Sequence, residues 1–279
     1  MQSGTPSRTA RGAALYRAAH QLADHPPVLA DPLALKIVGE DVRAPSAALE
    51  RRKSRGLSPL RAFVAVRSRY AEDRFEHAYE RGVRQYLVLG AGLDNYAYRC
   101  PLDGVHVLEV DHPSSQALKL ERLARAGIAI PPFVSFTSID FEQETLREGL
   151  GRARFDPSRP AYVAWLGVTP YLPAETVLCT LSIVAEDFAA GSEIVFDFAT
   201  PPGRTLRSFL ARQNLAVRAR LAGEPLRSTF TLPALANRVL SLGFSRVEIA
   251  ETDTLNALYF EGREDGLRLR GGQLLGARL

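Results

Sequence analysis

The sequence predicts an α/β fold: a doubly wound, mostly parallel sheet of seven strands behind an N-terminal helical cap. Three observations carry that expectation. Between residues 85 and 198, five short apolar runs alternate with helical stretches. The first run ends in the turn Gly90-Ala91-Gly92. Two strand-like tail segments, 246–250 and 257–260, leave no room for a crossover helix between them, which makes them antiparallel neighbours.

From Ala10 to about Gly39 the apolar spacing is helical, with a second helix at Leu33–Val38 opened by Asp31-Pro32. Residues 41–59 read as a loop, and Leu60–Arg81 as one long helix stopped by Gly82. Gln85–Leu89 is the first strand, with helix-compatible sequence from Asp94. Val105–Val110 is the second, followed by a helix from near Pro113 to Gly127. Phe133–Thr137 is the third, followed by a helical stretch over 142–150, and Ala161–Leu166 is the fourth. The next helix carries Pro173 in its first turn, closes at Gly191, and places Val177, Leu181, Val184 and Phe188 on one face. Ile194–Phe198 is apolar almost throughout, as a strand buried on both faces should be. A helix at Leu232–Leu242, stopped by Gly243, leads to the tail strands Arg246–Ala250 and Ala257–Phe260.

Composition narrows the function classes. The 279 residues are 46% hydrophobic and 24% charged, enough apolar material for a large core and unlike a disordered or disulfide-stapled chain. No run of 18 apolar residues is present, so no membrane span is expected. The first 20 residues lack a continuous apolar core and a small-residue cleavage site. Cys100 and Cys179 form no CxxC pair and no metal-ligand spacing, so a reducing cytoplasm and no bound metal are expected. The net charge of +4 comes from arginines scattered along the chain; only Lys36, Lys53 and Lys119 are lysines. The one dense basic cluster, Arg51, Arg52, Lys53 and Arg55, has no interleaved aromatics. It reads as a solvated mobile loop, not a nucleic-acid groove.

In a doubly wound sheet, ligands bind at the carboxyl ends of the strands. Glycine at 90 and 92 lets the backbone turn and approach a ligand; a dinucleotide fingerprint would need a third glycine where Asn95 stands. Val105, Val107, Glu109 and Asp111 alternate onto one face of the second strand. Asp111 follows Gly92 by 19 residues, near the spacing at which an acid accepts from both ribose hydroxyls, and Glu109 is the second choice. Asp140 and Phe141 end the third strand, where an acid and an aromatic ring suit an adenine. Among the histidines, His112 at the mouth of the sheet is the candidate base; no Ser/His/Asp or metal constellation assigns a catalytic residue.

These residues occur in a recognisable order: Arg67-Ser68-Arg69-Tyr70, Val88-Leu89-Gly90-Ala91-Gly92-Leu93-Asp94, Ala97-Tyr98-Arg99, Glu109-Val110-Asp111-His112-Pro113, Asp140-Phe141 and Val168-Thr169-Pro170-Tyr171-Leu172-Pro173. The chain resembles the bacterial branch of the leucine carboxyl methyltransferase family, class I S-adenosylmethionine-dependent methyltransferases. The resemblance implies S-adenosyl-L-methionine as cofactor and a small molecule or peptide as methyl acceptor, with no nucleic acid or membrane partner. It implies that Arg67 pairs with the cofactor's methionine carboxylate, a contact that suits a guanidinium fork. Gly90, Ala91 and Gly92 would line the amino-acid end, Asp111 or Glu109 would hold the ribose, and Asp140 and Phe141 would flank the adenine. Trp165, at the end of the fourth strand, completes this cofactor set.

The sequence departs from the family pattern at Leu166, where leucine-carboxyl methylating members carry an acid, and at Asn95 and Tyr96, which replace a Thr-Arg pair. A sulfonium is already activated, so alignment is the protein's main task. The expected acceptor is a carboxylate, ionised at neutral pH, with a phenolic hydroxyl second. Arg99 and Arg51–Arg55 are the expected positive field that steers it in. Residues 1–59 are expected to form a helical cap and lid, and residues 60–279 the cofactor-binding domain. The rival readings are an NAD-dependent oxidoreductase on a similar sheet and a cofactor-binding protein without catalysis.

Overall fold

A computed structural model of the chain describes residues 7–141, 143–201 and 225–279. Seven strands form one sheet: β1 (Gln85–Leu89), β2 (His106–Asp111), β3 (Val134–Ser138), β4 (Ala161–Trp165), β5 (Glu193–Asp197), β6 (Arg246–Ala250) and β7 (Leu274–Arg278). Their order is β3-β2-β1-β4-β5-β7-β6. β1 to β5 pair in parallel, and β7 runs antiparallel to both β5 and β6. The strand order reverses between β1 and β4, which opens a crevice beyond their carboxyl ends.

The tail is where sequence and structure part. Residues 257–260 are not a strand; they close a helix, Thr252–Phe260, and the missing strand is β7, some 14 residues later. A four-residue apolar run has no period long enough to separate the two states. The helix is fixed by longer-range contacts: Asn256 accepts the Leu269 N–H at 2.8 Å, and Leu255 is buried.

Three further differences bear on the site. The expected loop over 41–59 contains a helix, Ala47–Lys53, opened by Ser46, whose hydroxyl accepts the Leu49 N–H. The helix expected from Asp94 is only a 3₁₀ turn, Tyr96–Tyr98. The stretch expected over 142–150 is helical only at Leu146–Leu150, behind a Thr145–Glu148 capping box; residue 142 lies outside the described residues.

The other helices follow the expectation closely. In chain order, the α-helices of the described residues are α1 (Arg8–Ala23), α2 (Ala34–Val38), α3 (Ala47–Lys53), α4 (Ser58–Glu80), α5 (Pro113–Arg125), α6 (Leu146–Leu150), α7 (Ala174–Asp187), α8 (Leu232–Ser241) and α9 (Thr252–Phe260). α4 covers one face of the sheet, where Phe75, Tyr86, Tyr96 and Tyr162 pack ring on ring. The Tyr162 hydroxyl, fully buried, donates to the Ala71 carbonyl at 2.9 Å. On the other face, Trp165 and Phe196 meet α7 through Val177, Leu181 and Val184. Among the described residues, no helix is long and apolar enough to cross a membrane.

The N-terminal helices have a core of their own, Leu15, Ala18, Ile37 and Leu49. Buried charges tie them to the rest. Both carboxylate oxygens of Asp24 accept from Arg61 of α4 at 2.6 Å, and one also accepts from His20 Nδ1 at 2.8 Å. His20 Nε2 accepts the Val28 N–H, which places the ring proton on Nδ1. Arg17 donates to the Leu93 carbonyl, and Asp31 accepts from Asn95, so α1 is bonded directly to the turn after β1.

Candidate active site

A cavity of about 600 Å³ lies at the carboxyl ends of β1, β2 and β4, within the range of small-molecule sites. Its floor is the turn after β1. Gly90 sits at φ +66°, and a Cβ there would lie 2.3 Å from Val168 Cγ2, so backbone alone fits. Gly92 is equally restricted: a Cβ would lie 2.9 Å from the Ala10 Cβ of α1, which roofs the turn.

Asp111, at the end of β2, reaches across to this turn. One carboxylate oxygen accepts the Gly92 N–H at 2.5 Å, and the other accepts the His112 N–H at 2.7 Å. Burial pushes its pKa above the usual carboxylate range; the two N–H donors and the nearby Lys119 ammonium oppose that rise. Asp140, Phe141 and His112 line the same end of the cavity. His112 Nδ1 lies 2.8 Å from the Ser114 hydroxyl and accepts the Ser114 N–H at 3.2 Å; accepting there puts the proton of a neutral ring on Nε2, 3.6 Å from Asp140.

Two members of the expected cofactor set lie elsewhere. Glu109 does not line the cavity; it is buried beneath it, 2.6 Å from Lys119 Nζ and 3.1 Å from the Tyr98 hydroxyl. The alternation that put it on the same face as Asp111 also put it one layer deeper in the sheet. Trp165 points away from the crevice and is fully buried, with its ring against Phe196. Its last-residue position in β4 gave no indication of which face it takes.

Opposite Asp111, Arg67 of α4 lines the cavity with its side chain 13% exposed. Its Nη1 donates to Asp197 at 3.1 Å, and its guanidinium rests on Gly167, where a Cβ would lie 2.6 Å from Nη2. Asp197 also accepts the Gly167 N–H. Asp197 is not among the expected site residues: in sequence it is an acid at the end of an apolar run, and nothing local shows that Arg67, 130 positions earlier, meets it. Leu166, beside Gly167, faces the cavity.

The expected positive field is largely committed elsewhere. Arg99 pairs with Glu72 through both terminal nitrogens and does not line the cavity. Of the basic cluster only Arg52 lines it, with its guanidinium 5.0 Å from the centre of the Tyr16 ring. Lys53 pairs with Glu50 on the surface. Arg51, Arg52 and Lys53 form the last turn of α3 and Arg55 opens a 3₁₀ turn, so the segment is helical where a loop was expected; Arg51 and Arg55 stay exposed and a single guanidinium turns inward.

A model of the leucine carboxyl methyltransferase family matches residues 10–185, well over half of the chain. The chain belongs to that family. Two bacterial relatives bear names that place them among the S-adenosyl-L-methionine-dependent methyltransferases. One is YktD of Bacillus subtilis, 31% identical over 205 residues, covering 72% of this chain and 67% of YktD. The other, from Mycobacterium marinum, is 32% identical over 281 aligned positions, covering 92% of this chain and 80% of its own length. Among solved structures, a methyltransferase-titled chain from Thermobifida fusca has a TM-score of 0.61 at 18% identity, covering 99% of this chain and 96% of its own. A duf574 family protein from Streptomyces avermitilis has a TM-score of 0.58 at 17% identity, covering 98% and 97%. Both share the fold.

For this methyltransferase the family match sets aside the oxidoreductase and the non-catalytic binding protein. Gly167→Ala is expected to cost about 1–2 kcal/mol in the backbone alone, because φ there is +72°. It should also displace the Arg67 guanidinium. Thermal melts and a cofactor titration of the variant read the two effects separately.

Proposed function

We propose that this methyltransferase transfers a methyl group to a carboxylate oxygen of a small molecule or peptide, with a phenolic hydroxyl as the second choice. Family membership makes the chain an S-adenosyl-L-methionine-dependent methyltransferase; the acceptor is our reading. The carrying observation is the state of His112. Its Nδ1 is engaged by Ser114, with the hydroxyl at 2.8 Å and the backbone N–H donating at 3.2 Å; with Nδ1 accepting from both, the neutral ring turns an Nε2–H toward Asp140 and offers the cavity no free base. A carboxylate needs no base.

The residues present suit the cofactor. The turn at Gly90 admits no Cβ, an acid stands at the end of β2, and a guanidinium faces it across the cavity. When bound, the cofactor supplies a methyl group activated on a sulfonium. In our reading Arg67 binds its carboxylate, Asp111 accepts from the ribose hydroxyls, the backbone of Gly90, Ala91 and Gly92 lines the amino-acid end, and Asp140 with Phe141 meets the adenine. Residues 1–59 serve as cap and lid and residues 60–279 as the cofactor-binding domain, a division supported by the way α1 roofs the turn. Arg52 and Tyr16 supply the acceptor side with one cation and an aromatic wall. Water excluded by the cap strengthens each of these charge contacts.

The test is the pH profile of kcat/KM with methyl-labelled cofactor and a panel of carboxylic acids and phenols. A carboxylate acceptor should give a flat profile from about pH 6 to 9. A rate that climbs through about pH 6.5 and loses that limb in His112→Ala would overturn the carboxylate reading and make His112 the base.

A further inference from the structure

We infer that Asp197 is a positioning residue for the cofactor's amino-acid end, holding both the Arg67 guanidinium and the Gly167 turn with one carboxylate. Asp197 closes β5 and is only 4% exposed. Oδ2 accepts from Arg67 Nη1 at 3.1 Å, and Oδ1 accepts the Gly167 N–H. Its own backbone carbonyl accepts the Thr169 hydroxyl at 2.5 Å, which ties the end of β5 to the segment after β4. Three elements that are distant in sequence therefore meet at one side chain: α4, the turn after β4, and β5.

The arrangement has a chemical purpose. Arg67 lies on a helix and has a long side chain with several rotamers, so a bidentate grip on a carboxylate requires the fork to be held in advance. A partner on one terminal nitrogen supplies that restraint and leaves the remaining edge of the guanidinium toward the cavity. The restraint is one-sided: within ion-pair distance of Arg67, Asp197 is the sole acid among the described residues. The glycine at 167 completes it, since any Cβ there would occupy the space of the guanidinium. The same carboxylate thus orients the cation and holds open the place where it rests. Ionised Asp accepts at both oxygens; Asn, with one oxygen and one NH₂, meets either Arg67 or the Gly167 N–H with a donor.

This inference rests on Arg67 binding the cofactor carboxylate, and two ligands separate the claims. S-adenosyl-L-methionine and its decarboxylated form share the sulfonium, the amine and the nucleoside, and differ in the carboxylate. Wild type should prefer the carboxylate-bearing form by about tenfold or more in calorimetric titrations. No preference would overturn the role of Arg67 itself. Asp197→Asn should weaken S-adenosyl-L-methionine by about ten- to a hundredfold and change the decarboxylated form by less than about threefold. In an Arg67→Met background, Asp197→Asn should add almost nothing, because the two act as one unit. Asp197→Glu, which keeps the charge but lengthens the arm, should lie between wild type and Asp197→Asn, and it serves as the second variant if the asparagine form loses its cooperative melt. Equal weakening of both ligands by Asp197→Asn or Asp197→Glu would reduce Asp197 to a general structural contact and overturn the proposal, as would unchanged S-adenosyl-L-methionine affinity.

Discussion

Asp111→Ala is expected to weaken S-adenosyl-L-methionine binding by about ten- to 150-fold, the equivalent of losing roughly 1.5–3 kcal/mol of charge-assisted hydrogen bonding. The carboxylate is already oriented, because the Gly92 and His112 N–H groups hold one oxygen each. Each oxygen keeps a second lone-pair direction for a ligand hydroxyl. Removing the side chain also leaves the Gly92 N–H without its acceptor, so the turn itself should loosen. Calorimetry checks the first effect and amide exchange at Gly92 the second. If affinity is unchanged, the ribose is held elsewhere. Glu109 is a poor substitute, since Lys119 and Tyr98 already engage it. A pH dependence follows with a definite sign. Burial raises the Asp111 pKa above its ordinary 3.8, and the ionised form is the one that accepts. Cofactor affinity should therefore decline on acidification while ordinary exposed carboxylates are still charged.

The second large effect is on stability. Asp24→Asn is expected to destabilise the fold by about 3–5 kcal/mol, since it leaves the buried Arg61 guanidinium without its counter-ion. That is a sizeable share of a typical 5–15 kcal/mol. The asparagine keeps one oxygen, so one side of the Arg61 fork would face an NH₂ donor, and the guanidinium would otherwise have only the Arg52 and Ser54 carbonyls, at 2.7 and 3.3 Å. Either His20 Nδ1 and Arg61 Nε, which share Oδ2, or Arg61 Nη2, on Oδ1, would meet that NH₂ in place of an acceptor. Because this network anchors α1 and the end of α3 to α4, the cap should open first, and urea melts followed by two probes should separate. The wild type carries a matching acid sensitivity. Burial alone would raise the Asp24 pKa, but bonds from Arg61 and His20 pull it down from 3.8 to about 2. A folded pKa below the unfolded value stabilises above about pH 4 and is lost as the pH falls toward 2. This group should contribute about 2 kcal/mol across that window, and Asp24→Asn should flatten the curve.

The strands of the parallel half were legible because period and length agreed. Residues 86–89 are a short apolar run closed at once by glycine, and four more such apolar runs follow with helical stretches between, which is the alternation of a parallel sheet. β7 was not legible. Its sequence, Leu-Leu-Gly-Ala-Arg, has a glycine at its centre, a feature that normally weakens a strand. Here Gly276 lies between Val195 and Glu248 of the flanking strands, an alignment that sequence does not display. α3 could have been found from Ser46, which caps it, but the basic run after it suggested solvent. At the site, the turn at Gly90–Gly92 and the acid at 111 could be read because spacing along two adjacent strands encodes their meeting. Asp197, Arg52 and the burial of Glu109 could not, since each depends on which side chain from a distant element arrives first. The Arg61–Asp24 pair joins residues 37 positions apart and left no local trace.

Among the described residues, β6 reaches the rest of the sheet only through β7. In the nascent chain, β6 and the helix after it cannot join the sheet until residues 274–278 have been made and have left the exit tunnel. At roughly 5–20 residues per second that interval lasts on the order of 1–5 s, plus transit through the exit tunnel. Throughout it, β5 presents an open row of backbone N–H and C=O groups to any extended neighbour. Codon choice between residues 250 and 274 thus sets how long a nascent chain stays open to mispairing, and rare codons there should lower the soluble yield without altering the finished enzyme.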